Sequence, residues 1–346
     1  MAIENLAKSA QPFALALTGQ FRQTTIRQGM VFPGPSGWGE FAPFPEYNDQ
    51  IAGRWLAAAL EAAFGSWPDP LRTHVPVNAI LAAVGPDEAA TSVKSAVSEF
   101  AMTTIKIKVA QSGHTFQDDL ARVSAVRRTL DALTPNGKIR IDVNGEWSTQ
   151  EAIENIELLA EFDLEYVEQP CASLAQCATV RESVSTMIAI DEGLRLTPDI
   201  ADINVAEITQ AGDILIVKSI PLGGVNRCLE IVNQINLPVV ISGSMDSSIG
   251  LESGLALAGS VPNLFGACGF GTGMLLAQDL VRPSVLPVDG MLSVRRQTPD
   301  PELLAQATRR VTTDEQDQWR QRFISAWNAS AINLVTDEVR QAVEQW

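Results

Sequence analysis

The chain has 346 residues, a formal net charge of −16 and 46% hydrophobic residues. So acidic a surface repels phosphate backbones and anionic lipid, which argues against nucleic-acid binding and membrane-surface roles. The sequence contains two histidines, His74 and His114, and this disfavours histidine-based metal sites and a Ser-His-Asp triad. Acid/base chemistry would therefore rely on Lys, Asp or Glu, and the length predicts one large domain with a smaller one.

The cysteines and the N-terminus bear on the compartment. The four cysteines, at positions 171, 177, 228 and 268, lack the CxxC spacing of a zinc site and do not suggest a disulfide framework. The first residues lack the basic segment of an export signal, and no run approaches the roughly 18 apolar residues that span a membrane. We therefore expect a cytoplasmic protein without a membrane or nucleic-acid partner, and nothing indicates an obligate protein partner.

The N-terminal region is predicted to form a small domain that contains both strands and a helix. Residues 13–47 alternate short apolar runs with turn residues, and the segment QIAGRWLAAALEAAF (50–64) has helical periodicity. This pattern predicts an α+β capping domain over residues 1–74.

From residue 75 onwards, β-rich runs alternate with amphipathic helical segments. Eight runs are predicted as strands, at 75–81, 103–109, 138–144, 164–169, 187–192, 213–219, 237–243 and 263–269. Strict alternation predicts a parallel sheet, and eight units predict a closed β/α barrel of the TIM type over residues 75–294. A doubly wound open sheet is the alternative, but the dinucleotide fingerprint is absent. Residues 295–346 are predicted to be helical and to pack back on the capping domain.

Charged and amide side chains fall where the predicted barrel strands end. In β/α barrels the catalytic groups lie at the C-terminal ends of the strands, so these side chains should share one mouth. In chain order they are Lys106 and Lys108, Asp142 and Asn144, Glu168, Asp191 and Glu192, and Lys218.

Lys106 and Lys108 are two residues apart, so both amines project to the same face of the strand. Two like charges so close disfavour protonation and push at least one pKa down, which suits a general base. The alternative is a strand edge with two solvated lysines. Lys218 ends an apolar run, where a lysine is costly unless it is functional or paired, and it faces Lys108 across an eight-stranded barrel.

Asp142, Glu168 and Asp191 occur once in each of three successive β/α units. Three carboxylates converging at one mouth repel one another without a cation. A set of carboxylate oxygens suits Mg²⁺ best, with Mn²⁺ as the alternative. The competing interpretation is that each acid caps the helix that follows it. A metal between two lysines would bind a substrate carboxylate and stabilise the enediolate left by removal of the α-proton.

In these residues the chain resembles the muconate-lactonizing branch of the enolase superfamily. The branch signature of a KxK strand, three acids and a final lysine appears as KIK, IDVNG, YVEQP, IAIDEG and IVKS. The barrel segments and the GWGEFAPFPEY loop are most similar to the actinobacterial o-succinylbenzoate synthase family. The resemblance implies a (β/α)7β barrel with an α+β cap, which acts as a carbon–oxygen lyase of menaquinone biosynthesis.

The resemblance also implies residue roles. Asp142, Glu168 and Asp191 would bind Mg²⁺. Lys108 would take the α-proton of 2-succinyl-6-hydroxy-2,4-cyclohexadiene-1-carboxylate (SHCHC) and return it to the departing hydroxyl, in a syn dehydration to 2-succinylbenzoate. Lys218 would stabilise the intermediate from the opposite side.

Further residues are expected to bind this small carboxylate substrate. Lys106, Arg140 and Asn144 are carboxylate-binding or supporting candidates, and the backbone N–H groups of Ser242, Gly243 and Ser244 are candidates for holding the succinyl carboxylate. The segment FRQTTIRQG (21–29) is expected to contribute a lid loop, with Phe21, Arg22 and Gln23 as alternative candidates to reach the pocket.

Two other functions fit parts of the same pattern. An N-succinylamino acid racemase of the same branch would use Lys108 and Lys218 to exchange protons on opposite faces. A non-catalytic barrel that binds an anion would leave the acids as helix caps, and it predicts no metal affinity.

Overall fold

The computed structural model describes residues 2–21, 24–197 and 202–346. The chain begins with α1 (Ala2–Ser9) and a three-stranded antiparallel sheet of β1 (Gln11–Phe21), β2 (Thr24–Gly34) and β3 (Gly37–Phe41). The alanine-rich helix α2 (Asp49–Phe64) follows, and it starts where the Asn48 side chain accepts the N–H of Ile51. Twelve of the 16 residues of α2 are buried, so its small side chains serve close packing.

The barrel sheet contains seven parallel strands that neighbour one another in chain order. They are β5 (Ala79–Leu81), β6 (Thr104–Lys108), β7 (Lys138–Asp142), β8 (Leu164–Glu168), β9 (Ile188–Ile190), β10 (Ile214–Val217) and β11 (Val239–Ile241).

Residues 263–269, predicted as the eighth strand, close the ring as an irregular extended segment. The N–H groups of Phe265 and Gly269 donate to the carbonyls of Val239 and Ile241 in β11. On the other edge, the N–H of Cys268 donates to the Pro76 carbonyl and that of Asn78 to the Cys268 carbonyl. The predicted fold, a β/α barrel with an α+β cap, is therefore confirmed.

The first predicted strand, at 75–81, is divided in two. Its start forms β4 (His74–Pro76), which leaves the barrel direction and pairs antiparallel with β12 (Met291–Ser293). The chain turns into the barrel at Val77, whose N–H donates to the Gly290 carbonyl, so only β5 belongs to the parallel sheet.

Helices cover the outside of the barrel. They are α3 (Pro86–Phe100), α4 (Phe116–Leu133), α5 (Thr149–Leu159), α6 (Leu174–Ser183), α8 (Val205–Ala211), α9 (Val225–Ile235) and α10 (Ser248–Ser260), with 3₁₀ turns at Ala160–Phe162 and Gly271–Leu275. The single-turn helix α7 (Glu192–Arg195) lies instead at the barrel mouth, directly after β9. Three of the outer helices begin in capping boxes, at Thr115, Ser148 and Ser173, which satisfy the first free N–H groups of each helix.

The C-terminal helices share a hydrophobic core with the cap. They are α11 (Pro301–Thr308), α12 (Thr313–Ala326), α13 (Ile332–Leu334) and α14 (Asp337–Gln345), with a π-helical turn at Trp327–Ala331. Phe323 in α12 meets Phe32 and Phe41 of the cap sheet edge-on, at ring-centroid distances of 5.5 and 5.4 Å, a favourable geometry for aromatic pairs. The predicted domain boundaries at residues 74 and 294 stay predictions.

Two further expectations concern the whole chain. The four cysteines at positions 171, 177, 228 and 268 are buried and free. Over the ranges described, none of the helices has both the length and the apolar character required to cross a bilayer.

Candidate active site

A cavity of about 920 Å³ opens at the C-terminal ends of the barrel strands, under the cap. Lysines from β6 and from the end of β10 line it, together with Asp142 and Asn144 of the third unit and the 242–245 loop. The cap contributes Phe44, Tyr47 and Trp55. A cavity of this size, lined by aromatic residues of the cap and by polar groups from several barrel units, has the form of a small-molecule site.

Lys106 and Lys108 lie on the same face of β6, as their spacing predicts, and each meets carboxylates. The parallel register places Lys108 beside Asp142 in β7, and Asp142 beside Glu168 in β8. The amine of Lys108 donates to Asp142 Oδ2 at 2.6 Å and to Asn144 Oδ1 at 2.7 Å. The amine of Lys106 lies 3.0 Å from both Glu168 oxygens and 3.2 Å from Asp142 Oδ2. Lys106 is 5% exposed, so it is not a solvated edge residue.

Lys218 enters the same cavity from the sixth strand of the ring. Its amine lies 2.5 Å from Asp191 Oδ2, while the guanidinium of Arg195 holds Asp191 Oδ1 at 3.0 Å. Strands β6 and β10 are the second and sixth of the ring, so the two lysines that line the cavity approach it from opposite sides.

Burial and neighbouring charges perturb the pKa values of these groups strongly. Burial opposes ionisation of Asp142, but the ammonium groups of Lys108 and Lys106 hold its pKa far below the usual range. Burial and the carboxylates of Asp142 and Asp191 raise the pKa of Glu168 to about 7. For Lys106 burial lowers the pKa, but Glu168 and Asp142 outweigh it, so the pKa lies well above its ordinary value.

The three acids fit a divalent metal by their chemistry. Asp142, Glu168 and Asp191 are at most 1% exposed, and the charges of Asp142 and Asp191 disfavour ionisation of Glu168, a repulsion that a cation relieves. Each carboxylate is held by an amine or a guanidinium. With the side chains in these positions, the described residues contain no group of three or more His, Cys, Asp or Glu that could hold a metal ion. The donor set itself, carboxylate oxygen throughout, is the one that Mg²⁺ prefers.

Arg140 lies beneath the cavity, inside the barrel, where it is fully buried. Its guanidinium donates to Glu165 Oε2 at 2.6 Å, to Asn78 Oδ1 at 3.0 Å and to the Ala267 carbonyl at 2.6 Å. Arg140 is not among the residues that line the cavity, which favours the supporting role over direct binding of the substrate carboxylate. Arg140 precedes Asp142 by two residues on the same face of β7, so its side chain lies one layer deeper inside the barrel, further from the mouth.

The loop at Ser242, Gly243 and Ser244 lines the cavity, but its backbone donors are already used. The N–H of Ser242 donates to the Val217 carbonyl, that of Gly243 to the Gly269 carbonyl and that of Ser244 to Asp246 Oδ2. These N–H groups are therefore engaged within the protein, and their contact with a substrate carboxylate stays a prediction. The lid prediction for Phe21, Arg22 and Gln23 stays a prediction, because Arg22, Gln23 and the side chain of Phe21 lie outside the described part of the chain.

The sequence reasoning missed two residues that border the site, Arg195 and Tyr47. Arg195 contacts Asp191, Glu192 and the hydroxyl of Tyr47. Arg195 follows Asp191 by four residues, a spacing that brings two side chains together on a helix, and this was a usable signal for an ion pair. No local pattern pointed to Tyr47, because it reaches Arg195 from the cap across 148 positions of sequence.

The barrel is closed, and its mouth under the cap holds paired amines and buried carboxylates. These features are typical of enzymes that carry out acid/base chemistry. Residues 88–301 match the family described as enolase C-terminal domain-like, and residues 13–63 match enolase N-terminal domain-like. The o-succinylbenzoate synthase of Thermobifida fusca is 47% identical to this chain, over 83% of this chain and 88% of that protein. That of Mycolicibacterium smegmatis is 41% identical, over 88% and 91%. The chain belongs to the enolase superfamily and, within it, to the o-succinylbenzoate synthase family, whose enzymes are lyases.

Solved structures agree in fold. An enolase from Mycobacterium smegmatis complexed with tartrate aligns with a TM-score of 0.73 at 18% identity, over 90% of this chain and 94% of that one. The L-Ala-D/L-Glu epimerase from Bacillus subtilis aligns with a TM-score of 0.70 at 18% identity, over 84% and 96%. At this level of identity the likeness concerns the fold alone.

Proposed function

We propose that the protein is a divalent-metal-dependent o-succinylbenzoate synthase that dehydrates SHCHC to 2-succinylbenzoate in cytoplasmic menaquinone biosynthesis. One observation carries the proposal: Lys108 and Lys218 line a single cavity from opposite sides of the barrel. The identity of 47% to a named o-succinylbenzoate synthase supports the choice of substrate.

Asp142, Glu168 and Asp191 are the residues that would hold Mg²⁺, with Mn²⁺ as the alternative. A divalent ion at these acids would act as a Lewis acid toward the substrate carboxylate and neutralise the charge that develops when the α-proton leaves. Lys106, buried between Glu168 and Asp142, adds a fixed positive charge on the same side.

Lys108 is the general base of the proposed mechanism. Its neutral amine takes the proton alpha to the ring carboxylate, and the electron pair of the broken C–H bond enters the ring. The resulting ammonium then gives the proton to the hydroxyl as the C–O bond breaks, so water departs and the ring becomes aromatic. Because one amine serves both steps, the proton and the hydroxyl leave from the same face, which makes the elimination syn.

Lys218 acts from the other side of the substrate. Its ammonium, held by Asp191 at 2.5 Å, faces the ring where negative charge accumulates and stabilises that charge electrostatically. As the ring becomes aromatic, the same ammonium makes a cation–π contact with its face.

The test is an ultraviolet assay of 2-succinylbenzoate formation by the purified protein with Mg²⁺. We expect turnover by the wild type and its loss in Lys108→Ala and Lys218→Ala. Lys138→Ala, which removes an exposed lysine at the start of β7, is the matched control and should retain wild-type activity. Racemisation of N-succinyl amino acids without dehydration of SHCHC would replace the proposal with the racemase alternative.

A further inference from the structure

A continuous series of side-chain hydrogen bonds leads from the cap to Lys108. Arg195 Nη1 donates to the hydroxyl of Tyr47 at 3.1 Å, and Arg195 Nη2 donates to Glu192 Oε1 at 2.6 Å. The same Glu192 oxygen accepts from Asn144 Nδ2 at 3.0 Å, and Asn144 Oδ1 accepts from the amine of Lys108 at 2.7 Å. The proposed mechanism uses the last residue of this series, Lys108, and assigns no task to the other four.

We propose that Tyr47, Arg195 and Glu192 are positioning residues that orient the amine of Lys108 through Asn144. In this arrangement the orientation of Lys108 depends on how the cap is seated on the barrel. The inference rests on the proposed function only for the role of Lys108 as the base, because the series of contacts exists without substrate.

The link between Glu192 and Asn144 determines which way the Asn144 amide points. An amide has a donor end and an acceptor end, and Glu192 accepts from the donor end. The acceptor end is thereby turned toward the ammonium of Lys108. Without Glu192 the amide is free to rotate and present its NH₂ group to Lys108, which removes the hydrogen bond. The backbone of Asn144 is left-handed, with φ 54°, a conformation that Asn tolerates better than most residues.

The cap contacts Arg195, the first barrel residue of this series, at two points. The ring of Tyr47 packs against Phe44 and Trp55, at centroid distances of 5.9 and 6.1 Å. This packing fixes the ring so that its hydroxyl points at Arg195. From α2, the guanidinium of Arg54 donates to the carbonyl of Arg195 at 3.2 Å. A change in the seating of the cap would therefore move Arg195 and, through Glu192, the Asn144 amide.

A merely structural role for these residues makes a different prediction. In that case Arg195 only neutralises the buried acids, and breaking the series loosens the whole barrel interior. The amide of Asn78 is the internal reference for such loosening, because it is buried, donates to the Ala79 carbonyl at 3.1 Å and accepts from Arg140. It has no contact with Glu192 or Tyr47 among its hydrogen bonds in the described residues.

The first experiment follows the side-chain amide signals of Asn144 and Asn78 by ¹⁵N NMR in metal-free, full-length protein. Glu192→Leu should shift the Asn144 signals toward those of a solvent-exposed amide and leave Asn78 in place. Glu192→Gln, which keeps an acceptor oxygen, should restore most of the wild-type Asn144 position. An unmoved Asn144 amide in Glu192→Leu, or an equal shift at Asn78, overturns the proposal.

The second experiment tests the cap link by kinetics. Tyr47→Phe keeps the aromatic packing and removes one hydroxyl, so kcat should fall about 3- to 10-fold, the effect of one hydrogen bond, while KM changes less than about 2-fold. Wild-type kcat in Tyr47→Phe contradicts the dependence on the cap. Because the NMR measurement needs no substrate, it still decides the inference if the protein fails to dehydrate SHCHC.

Discussion

Replacing Lys106 and Lys108 one at a time should separate catalysis from stability. The two lysines share one face of β6, but they relate differently to the buried carboxylates. Lys108→Ala removes one partner of Asp142, which still has Lys106 at 3.2 Å. Lys106→Ala removes the amine that meets both oxygens of Glu168 at 3.0 Å, and Glu168 is fully buried.

The magnitudes follow from these contacts. Removing one partner of a buried ion pair costs about 3–5 kcal/mol when the other charge is left unpaired. Because Glu168, with its pKa of about 7, can take up a proton when the amine is lost, Lys106→Ala should lower the free energy of unfolding by about 3 kcal/mol, the lower end of this range. Lys108→Ala leaves no carboxylate unpaired, and we expect a cost of about 1 kcal/mol. Loss of a general base lowers the rate by about 100- to 10,000-fold, so Lys108→Ala should be nearly inactive although it is stably folded.

Urea unfolding and the dehydration assay on the same preparations measure both quantities. Lys138→Ala serves as the control, and it should match the wild type in both. The reasoning is refuted if Lys108→Ala keeps more than about a tenth of the wild-type rate, or if it is less stable than Lys106→Ala.

Three other predictions concern the metal, pH and the contact between cap and barrel. EDTA should abolish dehydration and Mg²⁺ should restore it; full activity in EDTA would contradict the metal site. Burial raises the pKa of Glu252 to about 8 from 4.5, so the native state keeps a proton that the unfolded state has lost, and stability falls as pH rises through this window. Glu252→Gln should therefore reduce the loss of unfolding free energy between pH 5 and 8 by about 3 kcal/mol, and an unchanged pH dependence would show that Glu252 does not titrate there. Glu61→Ala leaves the N–H groups of Val225 and Asn226 and the Trp67 indole without their acceptor. We expect the free energy of unfolding, measured with urea, to fall by about 3 kcal/mol. A fall of less than about 1 kcal/mol would contradict this expectation.

Local patterns in the sequence were sufficient to predict the barrel and the groups at its mouth. Strand and helix periodicities depend on residues close in the chain, and β/α alternation places all strand ends on one side of the sheet. Lys106, Lys108, Asp142 and Glu168 could therefore be placed together before any contact was known. Lys218 followed from the count of strands around the ring, because the second and sixth of eight are opposite.

Tertiary structure decided how deep each group lies and which donors are free. Arg140 shares a face with Asp142. Only the closed barrel shows that its guanidinium donates to Glu165, Asn78 and the Ala267 carbonyl. The backbone donors of the 242–244 loop are taken by acceptors that include carbonyls at positions 217 and 269, which no local motif reveals.

The approach of Tyr47 to Arg195 likewise depends on how the cap sits on the barrel. The sequence by itself thus determined the periodic elements and the chemistry at their ends, because both arise from short-range geometry. The closed barrel and its cap decided which of those groups reach the cavity. Burial and hydrogen-bond satisfaction are properties of contacts between residues far apart in the chain.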